Sequence, residues 1–483
     1  MLKAIATGMA VSCIAGGLGL AAVSLFRDPA KSKGPVVSAG QTPVLSIRRV
    51  PEMLADSIGS RRIDQSIATT FAQPELDGVA ERSCVLAELV TPFVSGRPLV
   101  SYAPTRSVIP ASTLKVFTAS AVLSMFDPNE RLRTTVRATS TPSGGQLAGD
   151  LWIIGGGDPL LESAKYTKSR KHPAGTATSL DKLADDVVTA GVERITGRVV
   201  GDDRLFDDLR VVPSWKKTYV SQGEVGPMGG LIIDDNFTLL DSKGRPIAAT
   251  DVPTNGAQAF QRLLEERGVV VVGEAGAASR TGPDAATAAP IEVAAIDSVP
   301  MNKIVAEMLA ESDNTTAEAL LKHVGIRAAG NGSTQAGAAA IGRTLWARGV
   351  PAENREVLRM VDGSGLDRGD RVSCAALIDI LRLAPASGDL VKGFAVMGET
   401  GTLKTRLRGS AAEGKVHAKT GTLNGVSALT GTAETTDGRL IRFAMILNGL
   451  ASTDYGVKLG NTLAEAFVAL GDSVAIEALV PKE

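Results

Sequence analysis

Histidine is nearly missing from this chain of 483 residues: only His172, His323 and His417 occur, widely separated. A Ser-His-Asp hydrolase therefore has little material to draw on. Three cysteines with no C-x-x-C spacing, and no paired histidines, outline no zinc or other metal site and imply no cofactor. Aromatic residues make up 4%, too few for a base-stacking platform, and Lys+Arg 51 against Asp+Glu 52 leaves a net charge of −1. A nucleic-acid partner has no electrostatic footprint here. The Gly155-Gly156-Gly157 run is not a phosphate loop: Pro159 follows at once, with neither G-x-G-x-x-G nor a Walker lysine. A tight turn is the better reading. Long apolar runs are equally scarce, the exception being Ala4–Phe26, which is uncharged and preceded by Lys3. It is long enough to span a bilayer and longer than an ordinary signal core, although its Gly, Ala and Ser weaken it. Arg27, Lys31 and Lys33 behind it blur the orientation signal. Residues 1–26 are read as an export segment, a signal peptide or a retained membrane anchor, with anchoring preferred. A linker over 27–44 follows, and Cys13 lies too early to be a lipid-attachment site.

What is present is a set of three short motifs. Ser112-Thr113-Leu114-Lys115 opens a run, Leu114 to Phe126, that is mostly apolar and free of breakers, as a buried helix would be. Pro110 suits its first turn, placing Ser112 at a helix N-terminus and Lys115 on the same face three residues later. A serine hydroxyl needs a base, and a lysine can be that base only if burial or a second positive charge lowers its pKa. Lys419 is the candidate for that charge. Ser312-Asp313-Asn314 interrupts two stretches with helical apolar spacing, Ile304 to Leu309 and Ala317 to Leu321. A helix boundary is expected there. Ser312 could pass a proton between Lys115 and a leaving amine, and Asn314 could hold a peptide bond. Lys419-Thr420-Gly421 continues to Thr422 and reads as a strand, with Lys419 on one face and Thr420 and Thr422 on the other. Gly421 removes a side chain where another backbone would have to approach. Thr422 N–H with Ser112 N–H would make an oxyanion hole, and Lys419 with the threonine hydroxyls would meet a terminal carboxylate. His417 shares the Lys419 face and is expected at the edge of the site. Taken singly, the motifs are a capped helix start, an N-cap cluster and a hairpin turn. All three in this order are not explained that way.

The trio resembles the motif set of penicillin-binding proteins and serine β-lactamases. Flanking segments narrow it: Gly149 to Leu160, Asp362-Gly363-Ser364-Gly365-Leu366, and Gly401-Thr402-Leu403 through Arg406 and Arg408 to Ser427. These resemble the class C low-molecular-mass penicillin-binding proteins, D-alanyl-D-alanine carboxypeptidases and endopeptidases that trim peptidoglycan. The resemblance runs from about Arg82 to Leu450. It implies an α+β fold: a penicillin-recognising serine transferase domain, with an antiparallel sheet flanked by helices plus a helical part, and a smaller inserted α/β domain. Residues 45–133 and 298–483 would form the first and 134–297 the second. Within the first, strands are expected at Ser83–Val90, Lys415–Thr422 and Arg442–Asn448, with a helix near Val457–Leu470.

By the same resemblance the enzyme is an extracytoplasmic serine D,D-peptidase acting on peptidoglycan stem peptides and acylated on Ser112 by β-lactam antibiotics. Lys115, Ser312, Asn314 and Lys419 serve catalysis, and Thr420, Gly421 and Thr422 bind substrate. The chain departs from the family pattern in two ways. Asp367 and Asp370 stand where Ser and Asn are usual, which puts loop packing in doubt. The 200-residue interval from Ser112 to Ser312 is short for the family, so the third domain is expected to be missing between Leu239 and the helix starting at Gly256. Two other readings stay open: a β-lactamase, for which no motif supplies a glutamate to activate the deacylating water, and a silent peptidoglycan-binding homologue. Cys84 and Cys374 could pair in an oxidising space, but spacing does not show whether their Cα atoms meet, and buried thiols are the preferred reading. Oligomeric state is not legible.

Overall fold

The computed structural model describes residues 50–90, 96–169, 176–240, 246–355 and 357–471. The export segment and most of the linker lie outside these residues, and no described helix is long and apolar enough to cross a membrane. A six-stranded antiparallel sheet runs in the order Ala395–Val396, Val416–Leu423, Val426–Glu434, Leu440–Asn448, Cys84–Leu89, Arg97–Tyr102. Period-2 alternation divides its side chains between two cores. Cys84, Ala444 and Ile446 join the helices Lys115–Met125, Met301–Glu311, Asn314–Ala329 and Cys374–Leu383 on one face. Val85, Phe443 and Met445 pack on the other against Ile63, Leu459, Leu463 and Phe467. The last three belong to the terminal helix Thr453–Val468, which starts one turn earlier than the apolar pattern suggested because Ser452 caps it, accepting from Asp454 N at 3.2 Å.

Cys84 and Cys374 form a disulfide, with Cα atoms 5.9 Å apart. This corrects the preference for buried thiols. Each cysteine begins its element, and packing of the Cys374–Leu383 helix on the Cys84–Leu89 strand brings those first residues together.

The chain leaves and re-enters this region along two adjacent strands. Arg133–Ala138 pairs antiparallel with Ile291–Asp297, Thr134 opposite Ile296. The two belong to a mixed five-stranded sheet, completed by Leu151–Ile154, Val199–Asp202 and Gly276–Ala277. The helices Leu180–Thr189 and Val252–Glu266 cover it, contributing Leu183, Val187, Phe260 and Leu264 to a separate core. Between Leu239 and Gly256 the chain makes a hairpin, Phe237–Leu240 with Pro246–Ala248, and then turns directly into the Val252–Glu266 helix. That helix begins ahead of Gly256, with Pro253 in its first turn, where a missing N–H costs nothing.

His323 and Lys322 tie the Asn314–Ala329 helix to the segment between the two paired strands. The His323 ring lies against Phe206, with centroids 5.1 Å apart, and bonds the Gly157 carbonyl at 3.0 Å, while Lys322 pairs with Asp207. Burial pushes the His323 imidazole down to about 4 from an ordinary 6.5. A folded pKa below the unfolded one means stability is present above pH 6.5 and is lost as pH falls toward 4. The loss should reach roughly 2–3 kcal/mol. Asp158 next door, its carboxyl pushed up to about 6 by burial, works in the opposite sense. Urea unfolding at pH 7 and pH 5 should therefore show a smaller loss on acidification for His323→Gln than for the parent, and equal losses would refute the assignment.

Candidate active site

Ser112 sits in a 3-10 turn, Ala111–Leu114, and the α-helix proper begins at Lys115. The expected helix start is thus one tight turn followed by the helix. Ala111 takes a left-handed φ of 48°, costly for a residue with a Cβ. The turn is clamped from both sides. A Cβ on Gly365 would lie 2.0 Å from the Ala111 carbonyl, and one on Gly421 would lie 2.8 Å from the Pro110 carbonyl and 3.1 Å from Thr113 N. The close backbone approach inferred from Gly421 is therefore real, and it is made by the turn that carries Ser112. Gly421→Ala should push the Val416–Leu423 strand off that turn and slow acylation of Ser112 by roughly 10–100-fold. Measured rates within a factor of two of the parent would show that the turn yields freely.

Lys115 is fully buried, and its Nζ donates to Ser112 Oγ at 3.1 Å, Asn314 Oδ1 at 2.6 Å and the Ser364 carbonyl at 2.7 Å. Burial lowers its pKa to about 8, against the opposing pull of Asp362, Glu318, Asp313 and Glu307. Of the two causes the sequence left open, burial is the one that lowers Lys115. Lys419 is itself fully buried and pushed well below the usual lysine range, by burial first and by the Lys115 charge second. Its Nζ donates to the Thr420 carbonyl at 2.9 Å.

The Ser312-Asp313-Asn314 segment is a helix boundary as expected. Ser312 closes the Met301–Glu311 helix in the left-handed region (φ 65°), and Asp313 caps the Asn314–Ala329 helix, accepting from Thr316 N at 2.8 Å. The ordinary capping reading is thus realised by Asp313, while Asn314 Oδ1 reaches Lys115 Nζ. Asn314 Nδ2 donates to the Glu224 carbonyl at 2.7 Å. No hydrogen bond among the described residues joins Ser312 to Lys115 or Ser112, so these three are not already wired as a proton relay.

On the Val416–Leu423 strand, Ala395–Val396 pairs only with Ala418 and His417, so among the described residues the outer edge from Lys419 to Leu423 is open. Thr422 is exposed, and Thr420 Oγ1 donates to Thr402 Oγ1 at 2.8 Å. His417 is half-buried on this strand, beside the site rather than in it. Asp367 and Asp370 do not loosen their loop. Asp367 accepts from Ser214 and from Gly369 N, and buried Asp370 accepts from Val361 N at 2.7 Å. Sequence reasoning missed the Ser364 carbonyl, which no residue type could announce, and Glu318, whose spacing of four from Asn314 could have marked it.

Residues 63–245 and 240–466 match the model of the D-Ala-D-Ala carboxypeptidase 3 (S13) family. The chain belongs to that family. Among S13-related proteins, it is 28% identical over 500 residues to a D-alanyl-D-alanine carboxypeptidase of Actinomadura sp. (strain R39), covering 88% of each chain. It is 27% identical over 486 residues to carboxypeptidase DacB of Mycolicibacterium smegmatis, covering 96% of each. Penicillin binding protein 4 of Haemophilus influenzae shares the fold, with a TM-score of 0.66 at 21% identity over 79% of this chain and 95% of that one. The resemblance read from the motifs holds at the level of family and fold.

Proposed function

We propose that this chain is an extracytoplasmic serine D,D-peptidase that removes the terminal D-alanine of peptidoglycan stem peptides through an acyl-enzyme on Ser112. The observation that carries this reading is the buried Lys115 amine, 3.1 Å from Ser112 Oγ with its pKa brought down to about 8. A neutral amine there can take the serine proton as the oxygen attacks the carbonyl between two D-alanines. The oxyanion forms beside the Ser112 and Thr422 backbone N–H groups. The substrate strand adds to the open Lys419–Leu423 edge, its carboxylate facing Lys419, Thr420 and Thr422. Its peptide group takes over Asn314 Nδ2 from the Glu224 carbonyl. Ser312 delivers the proton to the departing D-alanine, and water then releases the acyl group. D-alanyl cross-links present the same bond. Residues 134–297 serve as the inserted second domain, and the short hairpin between Leu239 and Gly256 stands in place of the third domain expected from the family resemblance. The 1–26 segment exports the enzyme, as a cleaved signal or an anchor.

β-Lactams imitate the scissile bond and stop at the acyl-enzyme. Intact-mass measurement after incubation with benzylpenicillin should show one stable adduct on the parent and none on Ser112→Ala. Penicillin consumed without an adduct would favour a β-lactamase. Penicillin left intact with no adduct would favour a wall-binding homologue. Because the base must be neutral, the acylation rate should rise with pH through a midpoint near 8.

A further inference from the structure

The scheme above leaves unused a carboxyl group that lies directly behind the Ser364 carbonyl. Glu318 follows Asn314 by one turn on the same helix and is 1% exposed. Its Oε1 accepts from two successive backbone groups, Gly363 N at 3.0 Å and Ser364 N at 2.8 Å. The loop so gripped is the one whose Ser364 carbonyl holds Lys115, and Thr118 Oγ1 fixes it further by donating to the Gly363 carbonyl at 2.8 Å. One helix therefore reaches Lys115 twice: directly through Asn314, and through the loop from Glu318.

We propose that Glu318 is a positioning residue for Lys115, holding the Asp362–Leu366 loop so that the Ser364 carbonyl meets the amine and setting by its charge how readily that amine gives up a proton. This rests on the reading of Lys115 as the base. A purely structural acceptor would not need to be a carboxyl group. Glutamine could accept the same two N–H bonds at a lower desolvation cost. Glu318 Oε2, moreover, is buried with no partner among the described residues. Burial, followed by the Asp362 charge, pushes the Glu318 carboxyl up to about 8, into the range to which Lys115 is lowered. The two groups compete for protons across one loop.

Other charges face this pair. Asp362, which accepts from Gly365 N, Asp367 N and Trp215 Nε1, lies in the loop together with Asp370. Asp313 and Glu307 act on Lys115 from the helix boundary and the preceding helix, and Lys115 in turn lowers Lys419 on the strand. Lys322, one turn beyond Glu318, is taken up by Asp207. In its ionised form, which prevails only above about pH 8, Glu318 favours protonated Lys115, so replacing it by glutamine removes that attraction and the lysine pKa falls.

The test is the rate constant for acylation of the full-length protein by benzylpenicillin from pH 5 to 10, for the parent, Glu318→Gln and Glu318→Ala. Glu318→Gln keeps the accepting oxygen. It should shift the midpoint of the acid limb downward by on the order of one pH unit while lowering the alkaline plateau only a few-fold. Glu318→Ala should lower the plateau by on the order of 100-fold, because the loop loses its anchor. A Glu318→Gln limb that stays in place or moves upward overturns the proposal, as does a Glu318→Ala plateau equal to the parent's. Should the alanine variant fail to fold by circular dichroism, the glutamine limb decides alone. A parent that is not acylated, or shows no acid limb, refutes instead the role given to Lys115.

Discussion

Lys115→Met acylates with benzylpenicillin roughly 10³–10⁴-fold more slowly than the parent while remaining folded. Methionine is about as long as the lysine stem and fills a site that is already fully buried. What disappears is the amine 3.1 Å from Ser112 Oγ. Stability should change by no more than about 1–2 kcal/mol, because removing a buried amine saves desolvation while Asn314 Oδ1 and the Ser364 carbonyl lose a donor. Lys115→Arg separates the base from the charge. A guanidinium keeps the positive charge but is never neutral at workable pH, so it should be equally slow. Time-resolved intact-mass measurement of the adduct, with circular dichroism for the fold, checks both. An arginine variant that acylates near the parent rate would leave Lys115 as a charge and not a base.

Loss of the Cys84–Cys374 bridge lowers unfolding stability by roughly 2–5 kcal/mol. The two cysteines are 290 residues apart in sequence, so the bond closes a loop containing the Ser112 and Ser312 motifs together with the insertion. Constraining that loop in the unfolded chain is what stabilises the folded one, in the chain-entropy account. Both sulfurs are fully buried in the helical core behind the sheet. Reductant alone should therefore act slowly on the folded protein and rapidly once denaturant opens it. A double Cys84→Ala, Cys374→Ala variant should unfold at lower urea than the oxidised parent and coincide with the reduced parent except for small packing differences. Superimposable curves for oxidised and reduced parent would eliminate the stabilising role. A buried bridge of this kind suits a compartment where disulfides persist, in keeping with action outside the cytoplasm.

Local regularities made much of the site readable in advance. The three-residue interval from Ser112 to Lys115 is a helical relation, and the hydrogen bond across it follows from one turn of backbone. Asp313 caps a helix because its short side chain reaches the N–H three residues on. Gly421 signalled a backbone that comes too close for a Cβ, and the strand's period of two separated Lys419 from Thr420 and Thr422. Near-absence of histidine left the commonest serine-hydrolase triad little material before any fold was known. Order and spacing of the motifs by themselves pointed to the family and named Ser112 and Lys115 as the proposed nucleophile and base.

Only the tertiary structure decided what those residues experience. Lys115 meets Asn314 across 199 residues and the Ser364 carbonyl across 249, and no periodicity relates positions so far apart. Its lowered pKa comes from desolvation, a property of the packed core, one of the two causes the sequence left open. The same packing aligned the first residues of a strand and a helix into a disulfide and left Ser312 without a bond to the amine it is expected to serve. It also set Glu318 behind a loop carbonyl that carries no residue-specific mark. Sequence specifies near-neighbour geometry because turn and pleat repeat over a few residues, whereas burial and long-range partners exist only once the elements have closed on one another.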